Sequence, residues 1–140
     1  MLYVDTSVLV ALCTHEAKTA AVTRWYAACT AELTSAAWCV TEFASALGIK
    51  QRTRQLTGEQ AQTAWVQFER MCANDLQLVP VQALTFHKAA LLTMDAAAGL
   101  RAGDALHLAC AIETKAQGLV TLDTVLARSA RRYKVKPVVI

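Results

Sequence analysis

A chain of 140 residues is the length of one domain and is long enough to bury a real core. Its 55% hydrophobic content and two prolines exclude a disordered composition, and no apolar run approaches the ~18 residues that suggest a membrane span. The net charge of +3 is mild and does not by itself point to nucleic acid.

Leu2 to Val4 read as a first strand that ends on Asp5, with the hydroxyls of Thr6 and Ser7 available to cap a short helix running to about Cys13. Ala21, Val22, Trp25, Ala28 and Cys29 then fall on one helix face. Glu32 to Ser35 is expected as a second strand, with Ser35 as the N-cap of a helix over about 37–51 whose buried stripe is Val40, Phe43, Ala44 and Leu47. Glu42 lies beside that stripe.

Thr57-Gly-Glu-Gln60 is a capping-box sequence, and Ala61, Ala64, Trp65, Phe68 and Cys72 recur behind it at helical spacing. Leu76 to Pro80 reads as a strand. A helix over roughly 82–96 follows, with Leu84, Ala90, Leu91 and Met94 among its apolar positions. Gly99 and Gly103 bracket a turn, and Asp104 opens a helix with Ala105, Leu108, Ala109 and Ile112 as its buried face. Leu119 to Leu122 is a strand ending on Asp123. Asp123 or Thr124 caps a helix to about Arg131, and the stretch from Val135 is a final strand that Pro137 suits to a sheet edge. Short apolar strands alternating with longer amphipathic helices predict an α/β sandwich around a mostly parallel sheet. Nothing divides the chain, so residues 1–140 are expected as a single domain.

Of eleven acidic residues, Asp5, Glu42, Asp104 and Asp123 flank strongly apolar segments. Sites in open α/β sheets lie outside the carboxyl ends of the strands, where Asp5 and Asp123 stand. Four carboxylates gathered there repel one another unless protons or a cation neutralise them. An all-carboxylate set suits a hard ion such as Mg²⁺ or Mn²⁺, and hydrolysis of a phosphodiester is the chemistry that uses one. Taken singly, each acid has a plainer explanation as a helix cap, a charge at a helix dipole or a solvent-facing residue.

Two basic runs stand out. Lys50, Arg52 and Arg54 come without an intervening acid, and after Asp123 every charged residue is a cation, at Arg128, Arg131, Arg132, Lys134 and Lys136. Either could be a solvated face or cations placed at helix C-termini. Cys13, Cys29, Cys39, Cys72 and Cys110 are scattered with no C-x-x-C pair, as expected of small buried hydrophobes in a reducing compartment. With no signal-peptide shape at the N-terminus, the expectation is a soluble, cytoplasmic protein with no membrane partner. His107 shares a helix side with Asp104, three residues on, and a packed or supporting role is expected of it, since hard-ion sites seldom use imidazole.

Val4-Asp-Thr-Ser-Val-Leu-Val10, Thr41-Glu-Phe-Ala-Ser-Ala-Leu47, Leu100-Arg-Ala-Gly-Asp-Ala-Leu-His-Leu-Ala109 and Leu119-Val-Thr-Leu-Asp123 together resemble the four acidic motifs of PIN domains, and among these the VapC-type toxin ribonucleases. The resemblance spans essentially the whole chain. It implies a three-layer α/β/α sandwich with a five-stranded sheet in order 3-2-1-4-5. It also implies a Mg²⁺- or Mn²⁺-dependent endoribonuclease whose metal-site acids are Asp5, Glu42, Asp104 and Asp123. Ser7 and Thr121 match small polar positions beside that site. A small antitoxin and a homodimer are the partners it implies. Flanking RNA phosphates are expected on Arg101, Lys50, Arg52 and Arg54.

Two other readings stand beside this one. Another Mg²⁺-dependent α/β phosphohydrolase is one, although a haloacid-dehalogenase-type enzyme needs an Asp where Ser7 stands, and neither a Walker loop nor a dinucleotide fingerprint is present. A PIN-like module that binds RNA or protein without cutting is the other.

Overall fold

The computed structural model describes residues 1–140. In chain order the elements are β1 (Leu2–Val4), α1 (Thr6–Cys13), α2 (Thr19–Ala28), β2 (Leu33–Ala36), α3 (Trp38–Arg52), α4 (Gly58–Asn74), β3 (Leu76–Val79), α5 (Ala83–Met94), α6 (Ala102–Glu113), β4 (Gly118–Val120), α7 (Thr124–Arg132) and β5 (Pro137–Val138). The strands form one sheet in the order β3-β2-β1-β4-β5, all pairs parallel. This is the α/β sandwich that the alternation of the sequence predicts, in the strand order that the resemblance implies. Pro137 lies on an edge strand, where its missing N–H costs no ladder bond.

The strand alternation divides the core into two layers. Tyr3 and Leu119 point to one face, into a cluster built by α5, α6 and α7. Val4 and Val120 point to the other, where α1, α3 and α4 pack. In that second layer Phe43 stacks on Phe68 with centroids 4.1 Å apart, and Trp65 leans against both. The capping box at Thr57 and Gln60 is formed, so α4 starts where the sequence predicts.

Several local expectations are corrected. Ser35 does not cap α3; it is a buried strand residue, and Ala37 precedes the helix without a side-chain cap. Ala44 is exposed and Val40 half-buried, because α3 turns Cys39, Phe43 and Leu47 inward instead. On α5 the large apolar residues face out, with Leu84, Leu91 and Met94 exposed to 62%, 69% and 79%, while Thr85, Ala89 and Leu92 are buried. α6 is the opposite case. Its residues from Ala105 to Ala111 are all buried, His107 among them, and Ile112 is exposed. A helix buried on all sides loses the one-sided periodicity from which a face is read.

α3, α6 and α7 end in the same way. Arg54, Lys115 and Lys134 each adopt a left-handed φ of 59°, 52° and 62° just past the helix. At each end the pair of reversed backbone hydrogen bonds of a Schellman motif is made. Glycine is usual there; a cation instead accepts a steric cost and sets its charge at the negative end of the helix dipole. No helix is long and apolar enough to cross a membrane.

Candidate active site

The register of the central strands delivers the first acid. Tyr3 pairs with Leu119 and Val4 with Val120, so the next step sets Asp5 beside Thr121. Asp5 N–H still donates to Val120 O at 3.1 Å before the chain turns into α1. Sheet order reverses between β1 and β4, and a cleft is expected outside their carboxyl ends.

Asp5 is 4% exposed and has a donor on each oxygen. Ser7 Oγ donates to Oδ1 at 2.6 Å, and Thr121 Oγ1 donates to Oδ2 at 2.6 Å. Each hydroxyl is itself held by a backbone N–H of the chain leaving β4: Leu122 N donates to Ser7 Oγ at 3.0 Å, and Asp123 N to Thr121 Oγ1 at 2.9 Å. Two parallel relays, backbone to hydroxyl to carboxylate, thus stitch the ends of β1 and β4 together. Asp5 also caps α1 by accepting Val8 N–H. The hydroxyl of Ser7 is therefore not the cap that the sequence suggests; it is turned onto the carboxylate that caps. Burial raises the Asp5 carboxyl above its ordinary value, and the hydrogen bonds from Ser7, Thr121 and Val8 act in the opposite direction.

Glu42 is positioned from the other side of the sheet. α3 carries it over the rim, where Thr6 Oγ1 donates to Oε2 at 2.6 Å and His107 Nε2 makes a close hydrogen bond to the same oxygen. His107, on α6 and 2% exposed, is fixed by Tyr3, whose hydroxyl lies 2.8 Å from Nδ1. That hydroxyl also accepts Ala36 N–H at 3.1 Å. On its other side, His107 Nε2 lies 3.0 Å from Thr6 Oγ1 and meets Glu42. Burial by itself would raise Glu42, but the donors from His107 and Thr6 outweigh it and hold the carboxyl below its usual range. Burial keeps the Tyr3 phenol protonated, well above its ordinary value. His107 thus takes the packed, supporting position that its place one helical turn from Asp104 suggests.

Gly103, just before Asp104, is required by this packing. A Cβ there would stand 2.5 Å from Glu42 Oε1 and 3.4 Å from Trp38 Nε1. The Trp38 indole N–H is buried with no hydrogen-bond partner in the protein.

Asp104 lies in the first turn of α6. Its carboxyl is raised by burial first and then by the charges of Asp123, Asp5 and Glu42. Asp123 is the N-cap of α7, accepting Leu126 N–H at 2.8 Å. The four acids are thus gathered at one end of the sheet. Beside them opens a cleft of about 850 Å³ lined by Thr6, Ser7, Trp38, Glu42, Gly103 and Asp123 among others.

The carboxylates offer only oxygen donors, and Asp104 feels three like charges, the condition that a hard cation relieves. As the side chains stand, no three groups converge closely enough to cage an ion. Glu42 is committed to His107 and Thr6, and Asp123 to the start of α7. In chemistry the set fits a divalent ion.

The basic residues expected at RNA phosphates fare differently. Lys50 lines the cleft with Glu42 and Asp123, but it is buried with its Nζ 2.7 Å from Glu16 Oε1, so its charge is already matched within the protein. Arg52 and Arg54 are exposed past the working part of α3 and line no cleft at the acids. Arg101 is exposed immediately before α6. All five cysteines are free.

The sequence profile of the PIN domain family matches residues 2–132. No curated protein matches the sequence. Among solved structures, the chain is similar to the Mycobacterium tuberculosis toxin VapC20, described as cleaving the sarcin-ricin loop. The identity is 18%, coverage is 92% of this chain and 95% of that one, and the TM-score is 0.76. PAE2754 from Pyrobaculum aerophilum is 17% identical, with 97% and 82% of the two chains covered and a TM-score of 0.68. VapBC2 from Rickettsia felis, solved on a DNA fragment from its promoter, is 14% identical, with 99% and 98% covered and a TM-score of 0.65. At these identities the likeness is one of fold.

Proposed function

This chain belongs to the PIN domain family, and from that premise we propose that it is a divalent-metal-dependent endoribonuclease, the toxin of a toxin–antitoxin pair. The observation that carries the reading is the gathering of Asp5, Glu42, Asp104 and Asp123 at the β1/β4 switch point, with the Asp104 carboxyl raised by burial and then by its three acidic neighbours. A carboxylate cluster of that kind costs stability, which a binding-only module has no use for. The toxin assignment draws on the likeness in fold to the VapC structures.

Asp5, Asp104, Asp123 and Glu42 would hold the ion, Mg²⁺ or Mn²⁺. When bound, it supplies Lewis-acid activation of water and charge to stabilise the leaving oxygen of a phosphodiester. The protein does the positioning. Three of the lone-pair directions of Asp5 are taken up by Ser7, Thr121 and Val8, which fixes the plane of the carboxylate and leaves Oδ2 with capacity for one more partner. His107 and Thr6 keep Glu42 ionised and aimed along the rim. The partners that accompany this reading are RNA as substrate, a small antitoxin and a second copy of the chain.

Purified protein incubated with total RNA should cut it with Mg²⁺ or Mn²⁺ and not with EDTA. Asp5→Asn, which removes a charge at nearly constant volume, should lower the rate by about 10³-fold or more. Cleavage by Asp5→Asn at the parent rate would sink the proposal. Thermal melts with Mn²⁺ address the binding-only alternative: the parent should gain stability with the ion, and a variant lacking all four acids should not.

A further inference from the structure

The two basic clusters that flank the acids are used differently by the fold. At the end of α3, Lys50 is ion-paired, and Arg52 and Arg54 lie outside the clefts at the site. Along α7, Arg128 and Arg131, three residues apart, share one helix face with each other. A second cleft of about 320 Å³ is lined by Thr121, Asp123, Arg128, Arg131 and Lys18, with the apolar Val138 among its other lining residues.

Neither arginine is paired with a carboxylate; in this region only Arg132 is, 3.1 Å from Asp95. No acidic side chain stands on α7 or β5 after Asp123, and Lys18 Nζ is held 3.5 Å from Ile140 O at the rim. Cations at the last turn of a helix are favoured by its dipole, which accounts for Arg131 and Arg132. It does not account for Arg128, nor for a cleft that joins both arginines to one of the acids.

We propose that this cleft seats the sugar–phosphate backbone of a single-stranded RNA on one side of the bond to be cut, with Arg128 and Arg131 each taking a phosphate. The proposal rests on the ribonuclease reading above. The planar guanidinium fork matches phosphate oxygens in pairs, and a positive groove leading away from the reacting position is how a backbone is tracked. No aromatic side chain lines the cleft, so bases are not stacked there. Its contribution is affinity and register, independent of sequence. An acidic peptide is the less fitting occupant, because the ribonuclease reading already brings an RNA backbone to Asp123.

Fluorescence anisotropy with a short labelled oligouridine, the full chain and EDTA measures binding without cleavage. The double variant Arg128→Gln/Arg131→Gln should bind about tenfold or more weakly and reduce the salt slope of log K by about 1.4, roughly 0.7 for each lost phosphate contact. Arg128→Lys/Arg131→Lys should restore most of that slope, which a folding defect would not. The charge-matched Arg70→Gln/Lys115→Gln, at the opposite end of the sheet, should stay within about twofold of the parent. Three outcomes would overturn the proposal: Arg128→Gln/Arg131→Gln binding like that control, Arg52→Gln/Arg54→Gln being the weaker binder, or polyglutamate displacing the RNA as well as unlabelled RNA does.

Cleavage with Mg²⁺ separates the two claims. A parent that binds through the arginines and cuts nothing refutes the ribonuclease reading and leaves the surface. A parent that cuts, beside an arginine variant with unchanged KM, refutes the surface and leaves the reading.

Discussion

Asp5 and Glu42 sit at the same end of the sheet and are held in opposite ways. Asp5 is at the centre, buried, stitched by two hydroxyls to the end of β4, and its carboxyl is raised. Glu42 comes from the flanking helix layer, is latched by an imidazole and a hydroxyl, and its carboxyl is lowered. The difference starts with burial, which at the deeply buried Asp5 outweighs the lowering influence of His107, Ser7, Thr121 and Val8, whereas at half-buried Glu42 the bonds from His107 and Thr6 overcome it. Two carboxylates with opposed environments suit two tasks, one as the fixed anchor of a site and one as an always-ionised rim charge.

The Asp5 side should be the more sensitive to substitution. Ser7→Ala with Thr121→Ala removes both relays and should lower RNA cleavage by about 100-fold. Thr6→Val, which takes one of two donors from Glu42, should cost about tenfold. Equal losses in initial rate would mean that the two halves are not distinct. His107→Leu tests the other half through stability. It leaves the Tyr3 hydroxyl and Glu42 without their buried partner and should destabilise the fold by about 2–4 kcal/mol in urea melts, with His107→Gln recovering part of it. Gly103→Ala is smaller and more local. The new Cβ cannot share space with Glu42 Oε1, so Glu42 must shift away from His107, with a loss of about 1–2 kcal/mol and a fall in cleavage rate.

The smallest effect has the opposite sign. Asp104 is raised by burial and by Asp123, Asp5 and Glu42, so it destabilises the fold whenever it is ionised. Asp104→Asn should melt higher than the parent by roughly 2–4 °C at neutral pH while losing activity. The gap should narrow as pH falls through the raised folded value of the parent, and vanish below the unfolded value of about 3.9. Glu42 runs the other way. Its contribution is present above the unfolded value of about 4.3 and is lost only as pH falls through its lower folded value. Urea melts of the parent, Asp104→Asn and Glu42→Gln from neutral to acid pH separate the two slopes.

Much of the architecture was legible along the chain because its causes are local. The capping box at Thr57, the edge position of Pro137 and the strand–helix alternation follow from neighbours within a few residues. So do the positions of Asp5, Asp104 and Asp123 at the start or end of an element, whereas Glu42 stands in the second turn of α3. Where local logic failed, a distant contact had intervened. Ser7, a plausible cap, was drawn to Asp5 and Leu122, and Ser35 was drawn into the sheet. α6 lost its readable face because other elements pack around it, and α5 turned its large apolar residues outward.

Local patterning along the chain places Asp5, Asp104 and Asp123 at element ends, and with them the kind of chemistry the chain could support. Only the tertiary structure decided what holds each one and in which state. Glu42 meets a histidine 65 residues away, and that histidine meets a tyrosine 104 residues away. The same holds for the cations, since Lys50 is matched by Glu16 on another segment while Arg128 and Arg131 have no such partner. Charge state depends on burial and on neighbours within a few ångströms. Those neighbours are set by how the layers pack, and no spacing along the chain encodes that directly.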